Sequence, residues 1–180
     1  MDTTVNAFFA PYRTGLPLQF FAWFTETGTG ITGIAVLGAA GALLWSMGRW
    51  RVALAWWLCF AGAEATAYAL KFSVGRARPE FLPGLSAGSP SFPSAHATVA
   101  VAVYGFLALL VAHDAGRRLA LLAGLAVVGL IGFSRIFLSL HYLTDVLAGY
   151  AVGAAWAWLG WRLARPHLGP PRVRASSRSP

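Results

Sequence analysis

Five apolar stretches dominate this chain: Ile31–Met47, Val52–Leu70, Ala95–Ala112, Leu119–Phe137 and Thr144–Ala164. Each is close to the ~20 residues a helix needs to cross a bilayer. In hydrocarbon every backbone N–H and C=O must be satisfied internally, which leaves helices or a closed barrel. Runs of this length select helices. Charged residues make up 11% of the 180 and hydrophobic ones 57%, whereas an ordinary soluble domain is about a quarter charged. The sequence therefore predicts an all-α integral membrane helical bundle over residues 1–164, with no second domain.

Residues 31–164 are the expected bundle core. Residues 1–30 are interrupted by Pro11, Arg13 and Pro17 but carry Phe8, Phe9, Phe20, Phe21, Trp23 and Phe24. This pattern predicts one or two helices lying in the membrane interface, with a tilted or broken span as the second reading. No cleavable signal peptide is expected, since Asp2 stands where a basic region would. Residues 165–180 are rich in Pro, Arg and Ser and predict a basic, disordered tail. Gly149 and Gly153 form a small-xxx-small pair suited to tight helix packing in lipid. Trp45, Trp50, Trp56, Trp57, Trp158 and Trp161 fall near segment ends, as interfacial aromatics do. Cys59 reads as a small buried hydrophobe, and His113 and His167 as surface histidines. Glu64, the one acid in mid-span, reads as a packed or protonated side chain near Thr66.

The net charge of +8 is dispersed among apolar runs, which argues against nucleic acid as a partner. Its distribution orients the chain instead. The side with the connections at 48–51 and 113–118 and the tail holds Arg49, Arg51, Arg117, Arg118, Arg162, Arg165, Arg172, Arg174 and Arg178, and the other holds Arg13, Lys71, Arg76, Arg78 and Arg135. An excess of basic residues marks the cytoplasmic side. The N-terminus, the connection at 71–94 and the one at 138–142 then face outward, as expected of a bacterial-type plasma membrane protein.

Those outward connections hold the polar residues that an apolar chain has least reason to keep. Charged groups at membrane depth mark functional sites by default. Lys71, Arg78 and Arg135 supply three cations, and arginine forks match phosphate oxygens while lysine adds a point charge. Ser94 is placed to cap a helix whose first amides, at Ala95 and His96, would face an anion. His141 and Asp145 are four apart, so one turn brings them together. A carboxylate on one imidazole nitrogen fixes the tautomer and leaves the other nitrogen free to attack. His96 then serves as acid and base. Arg76 reads either as a solvated loop charge or as a contact for a second phosphate or a head group.

K-x6-R-P at Lys71–Pro79, P-S-x-H at Pro93–His96 and S-R-x5-H-x3-D at Ser134–Asp145 together resemble the signature of the type 2 phosphatidic acid phosphatase superfamily. The resemblance implies a helical bundle that hydrolyses a lipid phosphate or diphosphate. It implies His141 as nucleophile forming a phosphohistidine, His96 as acid/base and Asp145 as orienting partner. Lys71, Arg78, Ser94, the amide of Ala95 and Arg135 would hold phosphate. Two departures stand out: Ala95 replaces the usual glycine, and the family commonly has six spans. No cofactor or metal is expected, because a site with three cations repels another. The expected partners are the lipid phosphate substrate (undecaprenyl diphosphate, phosphatidylglycerol phosphate or phosphatidic acid in type) and membrane lipids. Oligomeric state is open. The alternative is a non-catalytic lipid-phosphate binder or transporter using the same anion site.

Overall fold

The computed structural model describes residues 2–79, 88–115 and 118–170. The tail beyond residue 170, including Arg172, Arg174 and Arg178, and the basic residue Arg117 lie outside these. Among the described residues the chain is helical and contains no strand. Its elements are α1 (Asp2–Phe9), α2 (Gly15–Phe24), α3 (Gly30–Ser46), α4 (Trp50–Val74), α5 (Ala95–Val99), α6 (Phe106–Ala115), α7 (Arg118–Phe137) and α8 (Leu143–Ala164). A π-helical stretch, Ala100–Gly105, joins α5 to α6 without a break, so Ala95–Ala115 is one rod.

Three of these rods, Trp50–Val74, Ala95–Ala115 and Arg118–Phe137, are long and apolar enough to cross a membrane. Gly15–Gly28 and Gly30–Ser46 meet the same test only as a pair bent by 53°. The first of the five expected spans, Ile31–Met47, thus meets the test only together with the helix before it. The bend falls where Thr29 caps α3 by accepting the Thr32 N–H at 3.2 Å. α8 has the length of a span at 22 residues, but Thr144, Asp145 and its tryptophans dilute its apolar character.

α8 is the central partner, packed along α4 and against α5. Glycines allow this approach. At Gly149 an added Cβ would lie 2.5 Å from the Ser94 carbonyl oxygen, and at Gly153 2.7 Å from that of Thr98. The expected small-residue seam is therefore the α5–α8 contact. Lipid tails are as apolar as side chains, so such contact holds by close packing rather than by solvent exclusion. Cys59 is buried against Gly160, as expected.

Two expectations need correction. Trp56 is not an interfacial aromatic: it is 0% exposed, stacks on Phe106, and donates its indole N–H to the Ala102 carbonyl at 3.0 Å. With that N–H paired internally, the ring has no need of the wet interface. Glu64 is partly buried, as the packed reading expects, while Thr66 accepts the Trp156 indole N–H at 3.0 Å. His113, half-buried rather than a surface residue, packs edge-on against Trp161 beside Asp114; His167 is exposed.

The two ends of the bundle are tied separately. At one end Arg49 grips the Asp114 carboxylate with both terminal nitrogens, one of them at 3.1 Å. This places the turn after α3 beside the end of α6, on one side as the charge pattern predicted. At the other end Asp2, Arg76 and Asp145 meet, uniting the N-terminus with the connections on either side of the remaining helices.

Candidate active site

α4 stops at Gly75, whose φ of +63° is the left-handed conformation that a glycine cap supplies at least cost. The chain then turns Arg76 and Arg78 back over the bundle. Lys71 lies in the last turn of α4 rather than in the connection. It is buried, and its ammonium donates to the carbonyls of Pro90 (2.7 Å) and Pro93 (3.1 Å). Arg78 donates to the carbonyls of Ser89 (2.8 Å) and Leu140 (2.7 Å). The two cations thus pin the connection between α4 and α5 over the same end of the bundle.

Ser94 caps α5, accepting the Ala97 N–H at 3.5 Å, while its own N–H reaches the Asp145 carbonyl at 3.0 Å. Thr98 donates its hydroxyl to the Gly149 carbonyl at 3.2 Å. Motif two is therefore strapped to motif three through the glycine seam. After α7, Ser139 takes a φ of +54°, a cost of roughly 1–2 kcal/mol for a side-chain-bearing residue. The reversal lets the Arg135 carbonyl accept the N–H groups of both Leu140 (3.0 Å) and His141 (3.3 Å). It turns His141 back beneath Arg78.

A cavity of about 190 Å³ lies among these groups, walled by Lys71, Arg78, Ala95, His96, Arg135 and His141, with Gly28, Thr29, Gly30, Glu64, Tyr68 and Ser89 completing it. Six of the eight sequence-predicted site residues thus share one wall. Ser94 and Asp145 are fully buried behind it, the first as cap and strap, the second against His141. Arg135 donates to the Thr25 hydroxyl at 2.8 Å, and its buried Nε makes no hydrogen bond.

The imidazole of His141 is poised by its neighbours. Arg78 Nη1 lies 3.2 Å from His141 Nε2. Guanidinium is donor only, so Nε2 is the acceptor and the ring proton sits on Nδ1. Nδ1 faces Asp145 Oδ2 at 3.6 Å, an approach longer than a hydrogen bond, of the kind that tightens when a ligand binds. Burial, with added repulsion from Arg135 and Arg78 and against the pull of Asp145, pushes the His141 pKa down to about 4. The ring is therefore neutral near pH 7, with its Nε2 lone pair toward the cations.

Asp145 is held by residues that the motifs do not contain. Its Oδ2 accepts the Ser91 hydroxyl and the Tyr142 N–H (2.9 Å), and its Oδ1 accepts Arg76 at 2.7 Å. Arg76 also pairs with Asp2 at 2.9 Å and lies over the Tyr142 ring at 4.1 Å. This corrects the expected role of Arg76: its guanidinium is committed to two carboxylates and is no contact for a second phosphate. Arg13, read from sequence as a helix breaker, is buried. It donates to the carbonyls of Phe137, Ile136 (3.4 Å) and Asn6 (2.8 Å), closing the end of α7. Nothing in the spacing of Asp2, Arg13, Thr25 or Ser91 signals these partnerships.

A helical bundle with three cations, two histidines and a buried carboxylate at one end can be set beside known families, and the PAP2 superfamily model matches residues 50–167. The chain belongs to the PAP2 superfamily. Over 90 residues, 47% of the chain, it is 39% identical to phosphatidylglycerophosphatase B of Bacillus subtilis (strain 168); the match spans 44% of that relative's length. Its fold resembles the transmembrane PAP2 type phosphatidylglycerolphosphate phosphatase from Bacillus subtilis, with a TM-score of 0.85 and 23% identity over 92% of this chain and 85% of that one. Aquifex aeolicus LpxE is similar too, at a TM-score of 0.72 and 19% identity over 89% and 94%. With its apolar rods and this kinship, the PAP2 chain is an integral membrane protein.

Proposed function

We propose that this protein is a membrane-embedded phosphatase that hydrolyses a lipid phosphate without a metal ion. The observation that carries the reading is the file Arg78–His141–Asp145. It holds a neutral imidazole with its lone pair among three cations, on the wall of a cavity that His96 shares.

Lys71, Arg78, Arg135 and the first amides of α5 at Ala95 and His96 bind the phosphate oxygens, with Ser94 holding that helix start in shape. His141 Nε2 attacks phosphorus. The P–N bond forms as the P–O bond to the lipid alcohol breaks, and Asp145 stabilises the charge that the ring acquires. His96, protonated beside the phosphate's negative charge, gives its proton to the leaving alkoxide. It then takes a proton from the water that cleaves the phosphohistidine, and inorganic phosphate leaves. Catalysis rests on positioning and on fixed positive charge around the transferring group.

Tyr68 lines the cavity and is exposed on the outer face of α4, beside exposed Phe72. A substrate can thus keep its tail in lipid while its phosphate reaches the cations. The named relative supports phosphatidylglycerol phosphate as one candidate, with phosphatidic acid and undecaprenyl diphosphate as the others. The charge pattern supports a site facing outward, with the C-terminus in the cytoplasm.

The test is release of inorganic phosphate by purified protein in detergent with a chelator present, comparing wild type with His141→Ala. Release from a lipid phosphate that is lost in the variant is the expected result. Release that survives the substitution overturns the mechanism. Binding without release from any lipid phosphate would make the protein a binder or transporter.

A further inference from the structure

Glu64 stands two turns before Lys71 on α4 and lines the same cavity as the three cations. Its Oε1 is buried and makes no hydrogen bond. A carboxylate in an anion site weakens the binding of phosphate, so its presence calls for a second reason. Buried acceptors without donors cost free energy unless a ligand supplies one. Two donors are chemically available to a lipid head group, an ammonium and a hydroxyl. The cations Lys71, Arg78 and Arg135 on the same wall repel the first and leave the second. Arg76, a further cation in the connection after α4, is already paired with Asp2 and Asp145.

Resting on the phosphatase reading above, we infer that Glu64 is a specificity-determining residue: it selects a phosphate monoester whose alcohol carries a neighbouring free hydroxyl, and it rejects a diphosphate. With the phosphate on the three cations, the hydroxyl donates to the Glu64 carboxylate that lines the same cavity. A second phosphate would stand in the same place and bring a further negative charge against that carboxylate.

Three lipids separate the parts: phosphatidylglycerol phosphate, its analogue built on propane-1,3-diol, which lacks the free hydroxyl, and undecaprenyl diphosphate. Rates are compared as ratios of kcat/KM within one preparation, so the fraction of folded protein cancels. Wild type is expected to favour the hydroxyl-bearing monoester over its deoxy analogue about tenfold, the worth of one hydrogen bond to a buried charge, and over the diphosphate by about tenfold or more. Glu64→Gln keeps an acceptor but removes the charge. It should raise relative diphosphate cleavage about tenfold while holding the hydroxyl preference within about threefold. Glu64→Leu should lose the hydroxyl preference as well. If both ratios stay at wild-type values in both variants, the inference falls and the phosphatase reading stands. If wild type releases no phosphate from any of the three, or His141→Ala releases as much, it is the phosphatase reading that fails.

Discussion

Gly149→Ala tests whether the α5–α8 seam sets the geometry of the site. A Cβ at this position lies 2.5 Å from the Ser94 carbonyl oxygen, 2.9 Å from Ala97 Cβ and 3.3 Å from the Thr98 amide nitrogen. Ordinary contact begins at 3.4 Å, and two of these three atoms are backbone of a capped helix start and cannot swing aside. α8 must therefore withdraw by about 1 Å, carrying Asp145 and the attached His141 away from His96, which stays on α5. The two straps on this seam, Ser94 N–H to the Asp145 carbonyl and Thr98 hydroxyl to the Gly149 carbonyl, stretch with it. A displacement of this size between reacting groups costs about a hundredfold in kcat. KM should move by less than about threefold, because Lys71, Arg78 and Arg135 are held by other elements. Overpacking should also lower stability by about 1–3 kcal/mol. Phosphate release from lipid substrate, read beside thermal unfolding in detergent, measures both. Gly38→Ala and Gly129→Ala are the controls, since nothing lies within 4 Å of either added Cβ. A Gly149→Ala protein with wild-type kcat would refute the reasoning.

Arg76→Ala should lower kcat about tenfold, by freeing Asp145 Oδ1 from a charge-assisted hydrogen bond. The loss should be equal for mono- and diphosphates; a change in their ratio would return Arg76 to the substrate site. For His141, imidazole ¹⁵N spectra should show a neutral ring protonated on Nδ1 at pH 6, charging only near pH 4. Its folded pKa lies below the ordinary 6.5, so protonation opposes the fold. That contribution is complete above about pH 6.5 and is lost as pH falls towards 4. A ring already charged at pH 6 in the ligand-free protein would contradict the burial that holds it neutral.

What could be read without the structure was whatever depends on local chemistry. The apolar runs placed α3 to α8 within a few residues, because a helix in lipid needs an uninterrupted apolar length and is broken by the polar connections between. Lys71, Arg78, His96, Arg135 and His141 were conspicuous because charge at membrane depth is costly and so is kept for use, and the cavity gathers all five. Ala95 took the place of glycine without strain, as a helix-start amide at ordinary φ permits.

The remaining decisions belonged to tertiary structure. Asp2 and Arg76 lie 74 residues apart, and Ser91 reaches Asp145 across 54; no periodicity encodes which distant donor satisfies a carboxylate. Trp56 looks in sequence like its interfacial neighbours, and only the Ala102 carbonyl opposite its N–H makes it core. Arg13 reads as a flaw in a span until the open end of α7 is found beneath it. Glu64 became part of the site only when α4 packed beside the bend between α2 and α3. The sequence by itself determined which residues could not be left in lipid without a purpose. The packing of helices decided which of them meet, because hydrogen bonds and charge pairs act over a few ångströms, whatever the distance along the chain.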